Sequence, residues 1–261
     1  MRAKMKIFRT NMLSAIRVRF SQGKQYVPDV RNAKATGFRG LPEISKAPCE
    51  AECTACLAAC PTGAITLDPV RIDLGRCIFC SDCSEVCPVD KFHYTENYKM
   101  ASGSRDGLFI GEGMAEVPEV KVAEEIRRIF GRSLRLRSVS AGGCNACELE
   151  VNALSNVNFD IGRFGIEFVA SPRHADGLVL TGPITQNMSG ALSLAYEGMP
   201  DPKFVIAVGA CVISWGLFDG STALDRSFLE RFKPSLYIPG CPPHPLTFLN
   251  GILDLLGREK R

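Results

Sequence analysis

Twelve cysteines are the residues of this 261-residue sequence whose type and spacing could do chemistry. Eight of them fall into two short runs that each end in a Cys-Pro pair: Cys49, Cys53, Cys56 and Cys60 before Pro61, and Cys77, Cys80, Cys83 and Cys87 before Pro88. Cysteines in such numbers form disulfides or bind zinc or iron–sulfur clusters. Disulfide scaffolds are typical of small secreted chains, and this chain is not small. The sequence therefore predicts thiolates held by metal in a reducing compartment.

The second run has the spacing C-x2-C-x2-C-x3-C-P, which binds [4Fe–4S] clusters. Three of its thiolates surround one cubane, while the cysteine before the proline reaches the neighbouring cluster. This logic predicts two interleaved ligand sets: Cys49, Cys53, Cys56 and Cys87 for cluster one, and Cys60, Cys77, Cys80 and Cys83 for cluster two. A zinc ribbon is the alternative, although it uses pairs of C-x2-C rather than triplets that end in Cys-Pro.

The first run departs from this spacing by one residue, because three residues rather than two separate Cys49 from Cys53. No other cysteine is available to take the place of Cys49. We therefore expect Cys49 to be a ligand of cluster one despite the longer spacing.

The remaining four cysteines lie far apart in the sequence but follow predicted strands over 134–140, 204–208 and 235–238: Cys144, Cys147, Cys211 and Cys241. Ligands gather at the carboxyl ends of parallel strands, and neighbouring glycines let the backbone approach a cluster closely. We predict a third [4Fe–4S] cluster here, the alternative being free buried cysteines. All twelve cysteines are then ligands, none is left for nickel, and no catalytic residue is predicted.

The elements that must position these cysteines form two domains and a connecting segment. Short apolar runs, including 165–170 and 177–181, alternate with the helical stretches 186–196 and 245–256. This alternation predicts a flavodoxin-like α/β domain over 134–261, with a parallel sheet and helices on both faces. An α+β domain of the bacterial ferredoxin kind is predicted over 38–98. The glycine-rich stretch 101–118 and a short helix make 99–133 a predicted linker.

Residues 1–24 contain seven basic side chains and no acidic one, and their apolar residues recur at helical spacing. The pattern predicts a basic amphipathic helix. It favours docking on an anionic membrane surface or a membrane subunit. Packing against the rest of the protein and a mitochondrial transit peptide are the alternatives.

The bulk composition excludes several classes of protein. Hydrophobic residues make up 46% and charged residues 23%, as in soluble globular proteins. The net charge of +3 is too small to indicate a nucleic-acid partner. We expect no signal peptide, because residues 1–20 have no apolar core of the needed length. We expect no membrane span, because no stretch approaches 18 continuous apolar residues. The expected location is cytoplasmic, peripheral on the inner face of the cell membrane.

Four polar residues near the predicted sites carry weaker hypotheses. Glu148, next to a predicted ligand, could relay protons or only accept a hydrogen bond. Arg173 and His174 are expected to fix a turn or an interface. His244 lies between two prolines at a predicted helix start, which favours capping or packing.

The N-terminal half, over about residues 1–98, resembles the ferredoxin-like subunits of complex I and of formate hydrogenlyase. Besides the cysteines, the resemblance includes Phe38–Pro42 before the clusters and Leu74–Cys80 between them. It implies that the basic N-terminal helix rests on a membrane arm.

The C-terminal half, over about residues 134–256, resembles the small subunit of group 4 energy-converting [NiFe] hydrogenases and the homologous 20 kDa subunit of complex I. The matching segments are Phe168–Asp176, Leu180–Pro183, Pro202–Ile206 and Tyr237–Pro243. The complex I subunit carries two adjacent cysteines at the first ligand position, whereas this chain has Cys144-x-x-Cys147 followed by Glu148. That spacing resembles the hydrogenase and implies that the third cluster is its proximal cluster.

Together the resemblances imply an electron-transfer subunit of a membrane-associated, formate hydrogenlyase-like [NiFe]-hydrogenase complex. Its partners would be a catalytic large subunit that holds nickel and iron, membrane-arm subunits, and a soluble electron donor or donor subunit. Two related alternatives stay open: a subunit of a complex I-like quinone oxidoreductase, and a hydrogenase-related complex without nickel. The second is suggested by Val212–Gly216, where the family has small residues. A zinc-holding scaffold protein is an alternative of another class.

Overall fold

The computed structural model describes residues 12–23, 25–118, 120 and 124–258. The first element in these ranges is helix α1 (Met12–Gln22), and the part of the predicted N-terminal helix before residue 12 lies outside them. In the same ranges no helix is both long and apolar enough to span a bilayer.

The region that carries the two cysteine runs forms two small antiparallel sheets. One sheet pairs β1 (Pro42–Ile44) with β4 (Phe92–Tyr94). The other has the order β2 (Ile65–Thr66), β3 (Arg71–Asp73) and β5 (Phe109–Gly111). Two short helices follow the first cysteines of each run, α2 (Ala55–Ala59) and α3 (Asp82–Glu85).

Strand β5 lies within the stretch 101–118 that was predicted to be a linker, and this prediction needs correction. Ile110 pairs with Ile72 of β3, and both side chains are buried, as is Leu108 in the 3-10 turn before β5. The ferredoxin-like sheet therefore includes residues beyond the predicted boundary at 98. The predicted short helix is present as α4 (Glu124–Phe130), which ends directly before Gly131.

The C-terminal half has a five-stranded parallel sheet in the order β10-β9-β8-β6-β7. Its strands are β6 (Leu134–Ser140), β7 (Ile166–Phe168), β8 (Gly177–Thr181), β9 (Phe204–Val208) and β10 (Leu236–Ile238). The helices are α5 (Ala146–Ala153), α6 (Gln186–Glu197), α7 (Ala210–Ser214), α8 (Ser227–Arg231) and α9 (Pro245–Leu255). The predicted fold class is confirmed, with strand bounds that differ from the prediction by at most two residues.

The sheet is covered on both faces, which explains why every residue of β8 and β9 is buried and why both strands are apolar apart from Thr181 at the end of β8. Alternate residues of β9 face opposite sides: Val205 and Ala207 belong to one hydrophobic core, and Phe204 and Ile206 to the other. Helices α6, α7 and α8 contribute to the first core, and α5 and α9 to the second.

The two halves of the chain share the first of these cores. It joins Ile72 and Leu108 of the ferredoxin-like region to Leu178 and Ile213 of the C-terminal half. Ser102 also exchanges two backbone hydrogen bonds with Tyr237 of the edge strand β10, at 3.0 and 2.8 Å. The ferredoxin-like region is thus packed onto the sheet rather than tethered to it.

Candidate metal centres

The first cavity is lined by Cys49, Cys53, Cys56 and Cys87. These are the four predicted ligands of cluster one, three from the first run and one from the second. The extra residue between Cys49 and Cys53 is accommodated by a turn in which the Cys53 N–H donates to the Glu50 carbonyl at 3.2 Å. Glu52 adopts a left-handed backbone within this turn (φ 60°). The longer spacing therefore still brings Cys49 to the cavity.

The second cavity is lined by Cys60, Cys77, Cys80 and Cys83. The structure thus brings together the predicted ligands of cluster two, again three from one run and one from the other. Arg39 holds the loop between two of them, because its guanidinium donates to the carbonyls of Phe79 and Cys80, both at 2.8 Å.

Backbone amides point at the sulfur atoms in both cavities. The N–H of Ala64 donates to Cys60 Sγ at 3.2 Å, and that of Lys91 donates to Cys87 Sγ at 3.3 Å. The N–H of Phe79 donates to Cys77 Sγ at 3.3 Å. Such bonds stabilise the negative charge that a thiolate and its cluster carry.

The third set of cysteines lies at the carboxyl ends of the parallel strands. Cys144 follows β6, Cys147 lies in the first turn of α5, Cys211 lies in α7 after β9, and Cys241 follows β10. Burial, followed by negative charge on Cys211, Glu148, Cys241 and Cys144, raises the pKa of Cys147. The fold therefore places the four predicted ligands of the third cluster at one edge of the parallel sheet. Cys144 and Cys241 are exposed to solvent.

Glycine at position 209 makes room for this set. Its backbone is in a conformation that favours glycine (φ 95°), and a Cβ at this position would lie 2.6 Å from Cys147 Sγ. The ends of two strands are joined here, because the N–H of Gly209 donates to Ile238 and that of Ala210 to Gly240. Only a residue without a side chain fits between the strand end and the cysteine.

Several of the cysteine thiols have raised pKa values. Burial raises the pKa of Cys77 and that of Cys147 to about 12, and that of Cys211 to about 11, with neighbouring thiolates adding to each shift. At neutral pH such thiols keep their protons unless positive charge replaces them. Iron would supply that charge, and its binding would release protons. All twelve cysteines are free of disulfides. The soft sulfur donors and their grouping in fours fit [4Fe–4S] clusters.

The loop that carries Cys77 is fixed by a buried ion pair. Arg105 binds Asp73 through both carboxylate oxygens, at 2.7 and 2.5 Å. The Asp73 backbone carbonyl in turn accepts from the N–H groups of Arg76 and Cys77. Since Arg105 lies in the stretch predicted to be a linker, no signal in the sequence indicated this contact.

The same loop contacts the helix that carries Cys211. The Ser214 hydroxyl donates to the Gly75 carbonyl at 2.7 Å, and Arg76 forms an ion pair with Asp219 at 2.7 Å. A Cβ on Gly75 would lie 2.6 Å from Ile213 Cγ2, so glycine permits this close approach. The segment 75–77 beside the second cavity is therefore in contact with the segment 211–214, which carries one cysteine of the third set.

The remaining polar candidates have structural partners. Thr181 donates to Glu148 at 2.7 Å, and although burial alone raises the Glu148 pKa, the hydrogen bonds from Ser140 and Thr181 outweigh it and lower the pKa. His244 caps α9 by accepting from the Leu246 N–H at 3.1 Å. It also packs against aromatic rings, as its predicted capping or packing role requires.

Arg173 and His174 form a short 3-10 turn, Pro172–His174, after β7. This placement agrees with the expected turn. None of its residues lines either of the first two cavities.

Two sequence families match this chain. Residues 144–255 match the family described as NADH ubiquinone oxidoreductase, 20 Kd subunit, and residues 49–91 match the family described as 4Fe-4S dicluster domain. The second match favours iron–sulfur clusters over zinc in the ferredoxin-like region. The resemblances inferred from the sequence are confirmed for both halves.

Curated relatives of two kinds align with about half of the chain. It is 40% identical to "Probable membrane-bound hydrogenase subunit mbhJ" of Pyrococcus furiosus, over 52% of this chain and 80% of the relative. It is also 40% identical to an NADH-quinone oxidoreductase subunit of Geotalea daltonii, over 45% of this chain and 71% of the relative. Identity to formate hydrogenlyase subunit 7 of Escherichia coli is 42%, over 48% of this chain and 49% of the relative.

Proposed function

Because this chain belongs to the family of the 20 kDa subunit of NADH ubiquinone oxidoreductase, we propose that it relays electrons through three [4Fe–4S] clusters in a membrane-associated, formate hydrogenlyase-like hydrogenase complex. An iron–sulfur electron-transfer role in an oxidoreductase complex follows from the family and from the dicluster domain. The observation that carries the proposal is the meeting of four cysteines at one edge of the parallel sheet, beside two ferredoxin-type sets: Cys144, Cys147, Cys211 and Cys241.

The contacts between the halves support an order for the three clusters. The loop 75–77, which leads to a ligand of cluster two, contacts the region of the helix that carries Cys211. The contacts are the Ser214–Gly75 hydrogen bond and the Arg76–Asp219 ion pair. The pathway we propose thus runs from cluster one to cluster two and on to the third cluster, or in reverse. The chain's residues supply the ligands, exclude water and hold the clusters in register, and the clusters when bound supply the one-electron chemistry.

The hydrogenase-type partner is supported by cysteine spacing rather than by overall similarity. Identities of 40% and 42% to hydrogenase-type relatives and of 40% to a quinone oxidoreductase relative do not separate the two classes. The Cys144-x-x-Cys147 spacing supports the hydrogenase type, because the complex I subunit that this half resembles carries two adjacent cysteines at the first ligand position. A role in a complex I-like quinone oxidoreductase is the second candidate. Purifying the complex and identifying its large subunit, with or without nickel, decides between them.

Exposed apolar side chains near the third cysteine set support a binding surface for the large subunit there. Leu149 follows Cys147 on α5 and is 61% exposed, and Leu217 and Phe218 follow the Cys211 helix and are also exposed. A partner that covered them would also cover the exposed Cys144 and Cys241 and exclude water from the cluster. With every cysteine assigned to a cluster, the catalytic metal belongs on that partner.

We expect about twelve iron and twelve sulfide per chain in anaerobically purified protein, because each of three clusters takes four of each. The variant Cys211→Ala should retain about eight, since the ferredoxin-type sets are untouched. Iron and sulfide analysis of folded protein measures this. A wild-type content of eight on fully loaded protein would rule out the third cluster.

Helix α1 supports attachment to a membrane arm or membrane surface. None of its residues is buried, and Met12 and Phe20 are 78% and 84% exposed. Arg17 and Arg19 lie on the same helix. Apolar side chains exposed in this way show that the helix is not packed against the rest of the described chain. They are typical of a helix that lies at a membrane interface.

Deleting residues 1–24 should release the complex from membranes, or loosen its membrane subunits, while leaving the cluster content unchanged. The wild-type attachment should weaken with salt, because ionic strength screens exposed charges over about 8–10 Å. Flotation of membranes at low and high salt measures both effects. A truncated complex that stays bound with the wild-type salt dependence would show that the helix has no docking role.

A further inference from the structure

The two cysteine runs are followed by equivalent segments. The amide four residues after Cys60 (Ala64) donates to the Cys60 sulfur, and the amide four residues after Cys87 (Lys91) donates to the Cys87 sulfur. A strand then follows each of these amides. Positions at the same distance after Cys60 and Cys87 are therefore equivalent, which allows the surroundings of the two clusters to be compared residue by residue.

This repeat makes Leu67 equivalent to Tyr94, each seven residues after its cysteine. Leu67 lines the cavity of cluster one, and Tyr94 lines the cavity of cluster two. The Tyr94 hydroxyl oxygen lies 3.4 Å from Cys83 Sγ and 3.8 Å from Cys77 Sγ. A leucine offers no hydrogen-bond donor at the equivalent place. The two clusters thus share their ligand type but differ in this neighbour.

The direction of this hydrogen bond follows from the chemistry of the bound state. A cysteine that ligates iron is a thiolate and has no proton to give, so the phenol must donate to the sulfur. Tyrosine has an ordinary pKa of about 10, so the hydroxyl carries its proton at neutral pH. The Phe79 ring packs edge-on against Tyr94 at 6.3 Å and restricts its position.

We propose that Tyr94 raises the reduction potential of cluster two by donating a hydrogen bond to its cysteine ligands, and so makes the two ferredoxin-type clusters unequal. Reduction adds negative charge to a cluster and its thiolates, and a donor hydrogen bond stabilises that charge. The burial of Cys77 and Cys83 acts in the opposite direction. This inference rests on the ligand sets proposed above.

One further polar difference between the cavities, at Lys91, is compensated by neighbouring groups. Lys91 lines the cavity of cluster one where Ala64 lines that of cluster two. Its side chain is 2% exposed, and its ammonium pairs with Glu112 at 2.7 Å and donates to the Ala47 carbonyl at 2.5 Å. A paired charge contributes little net field.

Thr62 lines the cavity of cluster two where Val89 lines that of cluster one, and its hydroxyl lies 3.8 Å from Cys60 Sγ. Tyr94 makes the closer approach, at 3.4 Å from Cys83 Sγ.

The position of cluster two gives this effect a role. The cluster lies between cluster one and the third cysteine set, next to the contacts at Gly75 and Ser214. A higher reduction potential makes cluster two hold an electron more readily than it would without the phenol. The electron is then favoured on the cluster that lies next to the C-terminal half. Tyr94 would therefore act as a potential-setting residue rather than as a ligand.

Redox titration of the purified holo-complex, followed by paramagnetic resonance, tests this. In Tyr94→Phe the midpoint potential of cluster two should shift to a more negative value, and those of the other clusters should not move. The signal of cluster two is identified by its loss in Cys80→Ser. The matched control is Tyr98→Phe, because Tyr98 is a buried tyrosine whose hydroxyl binds Val30 and Ala33 and no cysteine. It should leave every potential unchanged.

Iron content of the same samples separates this inference from the ligand assignment. Wild-type protein without two ferredoxin-type signals contradicts the ligand sets. With both signals present, a Tyr94→Phe potential equal to the wild type overturns the role of Tyr94, as does an equal shift in Tyr98→Phe. If Tyr94→Phe does not load cluster two, Leu67→Tyr decides: a positive shift of cluster one supports the proposal, and an unchanged potential refutes it.

Discussion

Hydrogen turnover measured with an artificial dye is expected to fall by about 100-fold or more when Cys147 is replaced by serine. Removing a residue that only hydrogen-bonds to a metal ligand lowers metal affinity or activity by roughly 10–100-fold. Removing the ligand itself should therefore have at least as large an effect. The ferredoxin-type signals should persist in paramagnetic resonance spectra, because Cys53 and Cys80 stay intact. The effect is large because the third cluster is the proposed last step before the partner's active site.

The matched variants Cys53→Ser and Cys80→Ser should give the opposite result. They interrupt the clusters farther from the partner, so dye-linked turnover should partly survive while transfer from the natural donor fails. Solubility and circular dichroism of every variant must be compared first, since metal binding and folding are coupled. A folded, assembled Cys147→Ser complex with full dye-linked activity would show that the third cluster does not feed the catalytic site.

The substitution Gly209→Ala should remove the third cluster without touching a ligand. The new Cβ would lie 2.6 Å from Cys147 Sγ, and the left-handed backbone at φ 95° adds strain of order 1–3 kcal/mol for a residue other than glycine. Iron content should therefore fall from about twelve to about eight per chain, with four iron lost per cluster. Iron analysis and dye-linked turnover measure the loss.

Gly190→Ala is the matched control for this experiment. Gly190 lies inside α6, and a Cβ there would meet nothing within 4 Å. Helix propensity predicts that alanine is more stable at this position by about 0.5–1 kcal/mol. Iron content and activity should stay at wild-type values. Full iron in Gly209→Ala, at unchanged stability, would mean that the strand end can move aside and that the close approach is not required.

The sequence predicted the chemistry of the chain better than its boundaries. The Cys-Pro runs predicted two interleaved sets, and the structure gathers those sets in two cavities. The parallel sheet was predictable because β9 is an unbroken apolar run and β8 is apolar apart from Thr181 at its end. These signals are local in sequence, so one sequence is sufficient to detect them.

The contacts that could not be predicted join residues far apart in the sequence. Strand β5 is three residues long in a glycine-rich stretch, and only its pairing with β3 makes it a strand. Ser214 and Gly75 are 139 residues apart, and nothing in either neighbourhood indicates the other. Tyr94 lies seven residues after Cys87, the last cysteine of the second run. Only the folded structure shows that it lines the cavity of cluster two. Tertiary packing decides such cases.

The packing of both halves around one core, with Ser102 bound to Tyr237, has a consequence for assembly. Two modules in one polypeptide meet at an effective concentration in the millimolar range, and they are always present in equal numbers. Their contact need not bury the roughly 1,200–2,000 Å² that separate proteins require for a lasting complex. Substitutions that break the ion pair between Arg76 and Asp219 would therefore slow electron exchange between the two modules. They would not separate the modules.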